Sequence, residues 1–269
     1  MHSIPVNTYK QMFWWRDCFF SQNGPILMVV VGSPGVSKSH MFREKLPPGG
    51  LYASGSLSCV HFYTQLYEHR DEIVVVDDVD ALFSDASAVN LLKCLGNTDH
   101  ERTVFWGKQN HQLDALGIPK QFTTTSRVVI LANTLKSIEA NLAAVLDRAI
   151  VISFQPGPAE IHHETARWFQ NKEVYNFIGA NLHRIPEHSM RWYRKADDVY
   201  RVGGDWRSLL LCAWHPKDAK LSLVAEILQD EALATSEARV RRFQELGGGS
   251  RATFMRKLAK WREVHAGIR

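Results

Sequence analysis

Short runs of consecutive apolar residues alternate with amphipathic stretches over the first part of the chain. The apolar runs lie at residues 26–31, 73–76 and 128–131, with a shorter one at 51–53, and residues 150–154 form a fourth predicted strand that contains Ser153. Continuous runs of this kind indicate strands buried on both faces, as in a parallel sheet. Between them the spacing predicts helices at residues 40–45, 58–70, 85–95 and 137–147. Strands alternating with helices predict an α/β fold.

The pattern changes after residue 158 and becomes helical throughout. The predicted helices lie at residues 159–169, 173–182, 190–199, 205–214 and 221–233. A last pair, residues 237–246 and 250–261, is joined by three glycines. The predicted division is therefore a lead-in helix at 1–24, an α/β core at 25–157, a helical lid at 158–234 and a basic, helix-turn-helix-like segment at 235–269.

Composition excludes several classes of protein. No run of 18 apolar residues is present, which predicts that no helix spans a membrane. The polar start of the chain lacks the features of a secretory signal. Four cysteines, Cys18, Cys59, Cys94 and Cys212, are scattered without the spacing of a metal site. We expect reduced, buried thiols in a cytoplasmic protein.

Positive charge is concentrated near the C-terminus. Residues 237–269 hold nine Lys/Arg and three Glu, a net charge of +6, so that the chain total of +4 leaves −2 for the other residues. A polyanion partner explains this asymmetry, and so does a solvated helical face. The glycine-linked helices have the outline of a DNA-reading helix-turn-helix, and also that of a plain helical hairpin.

The first apolar run leads directly into a turn with the composition of a phosphate-binding loop. Backbone N–H groups at a helix N-terminus, a lysine and a hydroxyl suit phosphate with magnesium. The sequence fits G-x-x-x-x-G-K-[ST] except at Ser37, where a serine with positive φ costs about 1 kcal/mol relative to glycine. The candidate binding residues are Gly32, Ser33, Pro34, Gly35, Val36, Ser37, Lys38, Ser39 and His40.

Polar residues follow two other apolar runs. Asp77 and Asp78 end the run at 73–76, and Asn133 follows the run at 128–131. Because parallel strands end at one edge of their sheet, these side chains are expected beside the phosphate loop. Asp77 with Ser39 is expected to hold magnesium. Asp78 is expected to polarise an attacking water, which Asn133 helps to orient. Residues 101–122 are predicted to form a β-excursion or loop.

Taken in order, these motifs resemble those of the AAA+ ATPases, a branch of the P-loop NTPases. The resemblance covers about residues 20–214. Residues 32–39 match Walker A, residues 73–78 match Walker B, and Asn133 matches sensor 1. Arg148 stands where the family keeps its arginine finger, and Arg207, in the run Gly-Asp-Trp-Arg at 204–207, matches sensor 2. Asp78 departs from the family, which usually has glutamate there.

The resemblance implies a three-layer α/β/α core with a parallel sheet, an all-helical lid and a helical C-terminal extension. It also implies ATP and Mg²⁺ as cofactors. Lys38 and Arg207 would neutralise phosphate charge, whereas Arg148 would reach into the site of a neighbouring copy in a ring or spiral, commonly of six subunits.

We therefore expect an ATPase that acts on nucleic acid, with DNA favoured, as a motor, a loader or a helper in phage replication or transposition. One alternative is an ATPase that remodels protein complexes, with a protein partner. Residues 51–55, Leu-Tyr-Ala-Ser-Gly, lack the aromatic-hydrophobic-Gly triplet common in such proteins. Another alternative is a slowly hydrolysing scaffold or switch, suggested by the short side chain of Asp78.

Overall fold

The computed structural model describes residues 3–55, 57–78, 85–97, 99–134, 139–214 and 218–266. Within these ranges the chain forms two units, Met1–Gln155 and Pro156–Arg269. A parallel sheet of six strands forms the centre of the first unit. Its order is β1 (Ile4–Val6), β8 (Ile150–Phe154), β2 (Leu27–Gly32), β7 (Val128–Ala132), β4 (Val74–Asp77) and β3 (Leu51–Ser54).

Burial explains why the apolar runs form this sheet. Every residue of β2, β4 and β7 is buried. Helices supply the cover that a parallel sheet needs. They are α1 (Tyr9–Phe20), α2 (Lys38–Lys45), α3 (Cys59–Glu68), α4 (Ala86–Leu95) and α6 (Glu139–Arg148). The predicted α/β fold with a parallel sheet is confirmed.

The strand β1 was not predicted. It lies at one edge of the sheet, where Ile4 pairs with Ile152 and Val6 with Phe154 of β8. Gln155 N donates to Val6 O at 2.9 Å, so the backbone N–H and C=O of Val6 point towards β8. The backbone groups of Pro5 point towards the open edge of the sheet. Because proline has no N–H to offer, this edge is protected against pairing with another strand.

The segment between α4 and β7 forms an antiparallel pair, β5 (Arg102–Phe105) and β6 (Gln121–Thr124), with the short helix α5 (His111–Ala115) between them. Tyr63 of α3 packs against Trp106 and Phe122 with ring centroids 5.3 Å away. Phe105, in contrast, is 58% exposed. The expected β-excursion is thus present and anchored to the core.

The second unit is helical in all of its described parts, as expected. Its helices are α7 (Pro158–Thr165), α8 (Lys172–Ala180), α9 (Arg191–Arg201), α10 (Trp206–Ala213), α11 (Ala219–Gln229), α12 (Ser236–Glu245) and α13 (Arg251–Val264), with a 3-10 turn at Leu182–Arg184. One hydrophobic cluster joins α8, α9 and α10. A second cluster joins α11, α12 and α13 through Phe243, Phe254 and Leu258.

Other expectations need correction or lie outside the described residues. The cysteines are free, but only Cys59 is buried, and Cys212 is exposed. The predicted helix start at residue 137 and the last charge of the basic tail, Arg269, lie outside those ranges. None of the described helices combines the length and the apolar character that a membrane crossing requires.

Histidines in the second unit are held in apolar surroundings. Burial lowers the pKa of His162 to about 4, and His162 stacks on Tyr175 at 3.9 Å. Burial, then the neighbouring His265, lowers the pKa of His183 to about 4. Neither ring nitrogen of His183 has a hydrogen-bond partner among the described residues. The folded state therefore favours the neutral imidazoles.

We expect the free energy of unfolding to fall as the pH is lowered from 6.5 towards 4. In that range the unfolded chain binds protons that the folded chain excludes, so acid favours unfolding. Denaturant unfolding at a series of pH values measures the slope. His183→Asn should flatten it, whereas the same change at the exposed His111 should leave it in place. Equal slopes for the wild type and both variants would contradict this account.

Candidate functional site

The turn between β2 and α2 contains the conformation that the sequence motif requires. Gly35 has φ of 78° and Ser37 has φ of 68°. Ser37 lies in the left-handed region and directly precedes α2, where its carbonyl accepts from Met41 N at 3.0 Å. Serine therefore occupies the strained position where the motif has glycine, with the cost of about 1 kcal/mol considered above.

Tyr9 of α1 supports the loop between β2 and α2. Tyr9 of α1 donates from its hydroxyl to Val36 O at 3.3 Å, and its ring meets Phe154 edge-on at 5.2 Å. Val36 itself is 1% exposed. A side chain at Gly32 would collide with the carbonyl of Phe154, which explains why β2 ends in glycine. Packing against the sheet and the loop therefore explains why α1 has a buried face.

Lys38 is the first residue of α2, and its side chain is buried. Its ammonium group donates to Gly32 O at 2.6 Å and to Ser33 O at 2.9 Å. It also donates to Asn133 Oδ1 at 3.2 Å. The lysine thus connects both ends of the loop with the end of β7.

Asn133 connects Lys38 with Asp78. Its Nδ2 donates to Asp78 Oδ1 at 2.8 Å, while its Oδ1 accepts from the lysine. This pair of bonds fixes which way the amide points. Asp78 has φ of 50°, an uncommon conformation for a residue other than glycine. Strained backbone of this kind is concentrated at functional sites.

Asp77 ends β4, is buried, and has a partner that the sequence analysis did not identify. The hydroxyl of Tyr52 on β3 donates to Asp77 Oδ2. Burial and this bond raise the pKa of Tyr52 to about 12. The guanidinium of Arg43 lies 4.2 Å above the Tyr52 ring. In the sheet Asp77 pairs with Ser54, which lies two residues after Tyr52 and on the same face. This register depends on strand pairing, which sequence spacing alone does not show.

The residues at this edge of the sheet fit a phosphate with a divalent cation. Ser39 and Asp77 offer hydroxyl and carboxylate oxygens, the donors that Mg²⁺ prefers, and Mg²⁺ sites in proteins commonly use one or two carboxylates with water. The described residues contain no cluster of three or more His, Cys, Asp or Glu that could hold a metal ion. His40, in the first turn of α2, is exposed.

The strand order separates two strands of the site. The strand of the phosphate loop, β2, and the strand of the acids, β4, are not neighbours, because β7 lies between them. Asn133, at the end of β7, consequently lies between Lys38 and Asp78. The sheet brings together Lys38, Asp78 and Asn133, and it places Asp77 at the same edge.

Comparison with known proteins gives one relative in sequence. No family model matches the chain. Over 121 residues it is 30% identical to an uncharacterized 36.7 kDa protein from the nrdC-mobD intergenic region of Enterobacteria phage T4. The alignment covers 41% of this chain and 37% of that protein, so the chain spans little more than a third of the relative's length.

Solved structures align over more of the chain. Cdc6p from Pyrobaculum aerophilum is 14% identical, with a TM-score of 0.45, over 94% of this chain and 85% of that one. Domain III of the replication initiation protein DnaA from Thermotoga maritima is 15% identical, with a TM-score of 0.44, over 77% and 92%. The FIGL-1 AAA domain in complex with ADP is 12% identical, with a TM-score of 0.43, over 98% and 90%.

With TM-scores of 0.45 or less, these alignments add no argument of their own. The fold assignment rests on the parallel sheet, the order of the motif-bearing strands and the helical second unit. These features are the parallel α/β core and the helical region that the AAA+ resemblance of the motifs implies.

Both arginines that the AAA+ resemblance singles out have local partners. Arg148, the last residue of α6, is exposed and donates to Ala144 O at 2.7 Å in its own helix. Arg207, in the first turn of α10, pairs with Glu173 of α8 and lies 4.4 Å from the Trp206 ring. Neither contact tests a role toward phosphate, and both roles stay predictions.

Proposed function

We propose that the chain is an ATPase that binds ATP with Mg²⁺ where β2, β7 and β4 end. The observation that carries the proposal is the buried ammonium of Lys38, linked through Asn133 to Asp78. A lysine at this position has no role in packing a hydrophobic core. It lies where a phosphate on the loop would find a positive charge and the N-terminus of α2.

Each residue has a distinct part in such a site. The backbone N–H groups of residues 33–39 and Lys38 would hold the phosphates, and Ser39 and Asp77 would hold the cation. Bound there, Mg²⁺ would neutralise charge on the phosphate oxygens. Asp78 accepts hydrogen bonds, so it can take one from a water, and Asn133 fixes the position of its carboxylate. Positioning and charge neutralisation are the main requirements of phosphoryl transfer.

A slowly hydrolysing switch is the second candidate, and Asp78 favours it. Its side chain is one methylene shorter than the usual glutamate, and Asn133 already occupies one of its oxygens. A carboxylate held in this way reaches less far towards a water. Binding without rapid turnover is therefore the expected signature of this candidate.

Arg148 supports assembly of several copies. It is exposed at the end of α6, and its bond to Ala144 uses only one guanidinium nitrogen. A neighbouring copy docked head to tail would place this group at the next site, in a ring or spiral, with six copies as the family's usual number.

The C-terminal helices favour nucleic acid, and DNA first, as the target. Arg251, Arg256, Lys260 and Arg262 form an exposed basic face on α13. Within it Arg251 lies 3.8 Å from Glu237 and Lys260 lies 3.7 Å from Asp218. Lys257 does not belong to this face, because its ammonium contacts Asp218 Oδ2 at 2.5 Å and is largely buried. Arg256 and Arg262 make no ion pair with any described residue. Unpaired exposed arginines are suited to phosphate contacts.

The alternative of a protein-remodelling ATPase gains no support from Tyr52. An aromatic residue that grips polypeptide in a central pore must be exposed, whereas Tyr52 is half-buried and bonded to Asp77. A protein partner is still compatible with the exposed apolar residues Phe105 and Leu116 at the β5–β6 excursion.

Replacing Lys38 with alanine should lower the affinity for ATP at least tenfold, since a charged hydrogen bond is worth about 1.5–3 kcal/mol. Lys45→Ala is the matched control, because Lys45 lies in the same helix and is exposed. Titration of a fluorescent ATP analogue measures both affinities, and the melting temperature checks folding. Equal affinity in both variants, or no binding by the wild type, would contradict the proposal. Turnover by the wild type then separates the ATPase from the switch.

Arg148→Ala should leave ATP binding within about twofold of the wild type and reduce turnover by about 10³-fold, the typical effect of losing an arginine finger. Mixing it with Lys38→Ala should restore part of the turnover, because intact sites form between the two kinds of subunit. Arg70→Ala, at an exposed arginine bonded to Tyr67 O, is the control. Failure of the mixture to recover activity would refute a shared site.

Arg256→Ala should weaken binding of duplex or single-stranded DNA to a similar extent for all sequences. It should also reduce the slope of log affinity against log salt by about 1, the value for one lost phosphate contact. Arg191→Ala makes the same change at an exposed arginine of α9. Fluorescence anisotropy with labelled oligonucleotides at several salt concentrations measures both slopes. A loss shared equally by the two variants would remove α13 as the contact surface.

A further inference from the structure

We propose that Tyr52 is a positioning residue that holds the Asp77 carboxylate ready for the divalent cation. The inference rests on the proposed function, because it assigns a second layer of residues to the same site. It adds Tyr52 and Arg43, neither of which belongs to the motifs in the sequence.

The sheet register brings Tyr52 and Asp77 together. On the paired strands β3 and β4, Tyr52 lies opposite Val75, and Ser54 lies opposite Asp77. Side chains two residues apart on a strand share a face, so Tyr52 is a diagonal neighbour of Asp77. A tyrosine is long enough to span this diagonal, and its hydroxyl reaches Asp77 Oδ2.

The direction of the bond suits a ligand of a cation. The phenol donates and the carboxylate accepts through Oδ2. No described residue donates a hydrogen bond to Oδ1, so Oδ1 keeps its capacity for a magnesium-bound water. A phenol with the ordinary pKa of about 10 is protonated at neutral pH and can therefore donate. Hydrogen bonds from outer residues commonly orient metal ligands, and their loss commonly costs 10–100-fold in metal affinity.

Arg43 connects Tyr52 with the helix that carries Lys38 and Ser39. It lies in the last turn of α2, the helix that begins with Lys38 and Ser39. Its guanidinium lies 4.2 Å from the centre of the Tyr52 ring, a distance at which cation–π attraction is significant. Arg43, Tyr52 and Asp77 therefore form a chain of contacts that connects α2 with β4.

Tyr63 is a tyrosine of the same unit whose contacts are with the core and the backbone, so it serves as a comparison for Tyr52. Its ring is fully buried, and its hydroxyl donates to the backbone carbonyl of Pro119 at 2.8 Å. Its pKa is also raised to about 12, by burial. Like Tyr52, Tyr63 donates a hydrogen bond from its hydroxyl, but it is bonded to no carboxylate of the described residues, which makes Tyr63→Phe a matched control.

The test measures the Mg²⁺ concentration that half-saturates the magnesium-dependent part of ATP-analogue binding. We expect Tyr52→Phe to raise this midpoint about tenfold, with affinity in EDTA and the melting temperature close to those of Tyr63→Phe. Tyr63→Phe itself should keep the wild-type midpoint. In an Asp77→Ala background, Tyr52→Phe should cause no further shift, because the carboxylate that it positions is already absent.

Other outcomes would overturn the inference. Equal midpoints for Tyr52→Phe and the wild type would do so, and so would an undiminished shift in the Asp77→Ala background. Arg43→Met keeps the hydroxyl and should shift the midpoint less than Tyr52→Phe; a larger shift would assign the effect to packing. Failure of the wild type to bind the analogue at all would instead refute the proposed function, so the two failures are distinguishable.

Discussion

The buried ammonium group of Lys38 is the constraint on which the candidate site depends. Removing a charge from water is unfavourable unless hydrogen bonds replace the lost solvation. Lys38 meets this requirement with the carbonyls of Gly32 and Ser33 and the amide oxygen of Asn133. An ammonium group has three donors, and each of these oxygens can accept one of them. The left-handed turn at Ser37 is what aims the lysine back over its own loop.

The strand order determines how far this charge can act. Neighbouring strands lie about 4.8 Å apart, so strands separated by a third are about twice as distant. Because β7 lies between β2 and β4, Lys38 and Asp78 are linked through Asn133 rather than by a direct ion pair. An amide suits this place because it accepts from the lysine and donates to the carboxylate. An aspartate at position 133 would accept from the lysine but would repel Asp78.

The sequence predicted the parts of the structure that depend on local pattern. The apolar runs became β2, β4 and β7, because a strand covered on both faces is apolar over most of its length. The predicted strand at 150–154 is β8. The phosphate loop and the positive φ of Ser37 also follow from spacing alone. The short strand β1 was missed, since three residues that include a proline carry no periodic signal.

What escaped prediction depends on contacts between distant parts of the chain. Sequence spacing does not reveal that β7 separates β2 from β4, nor that Tyr52 reaches Asp77. The same holds for Lys257, one of the basic residues at 237–269, which pairs with Asp218, 39 residues away. In each case the neighbour belongs to another element of the fold.

The two consecutive acids show how one change in backbone conformation separates two roles. Successive side chains of an extended strand point to opposite faces. Asp77 keeps the strand conformation and faces Tyr52, whereas Asp78 turns to positive φ and faces Asn133. Neighbouring carboxylates that shared one partner would repel each other and raise each other's pKa. Asp77 thus accepts from Tyr52 and Asp78 from Asn133, so the two carboxylates do not compete for one donor.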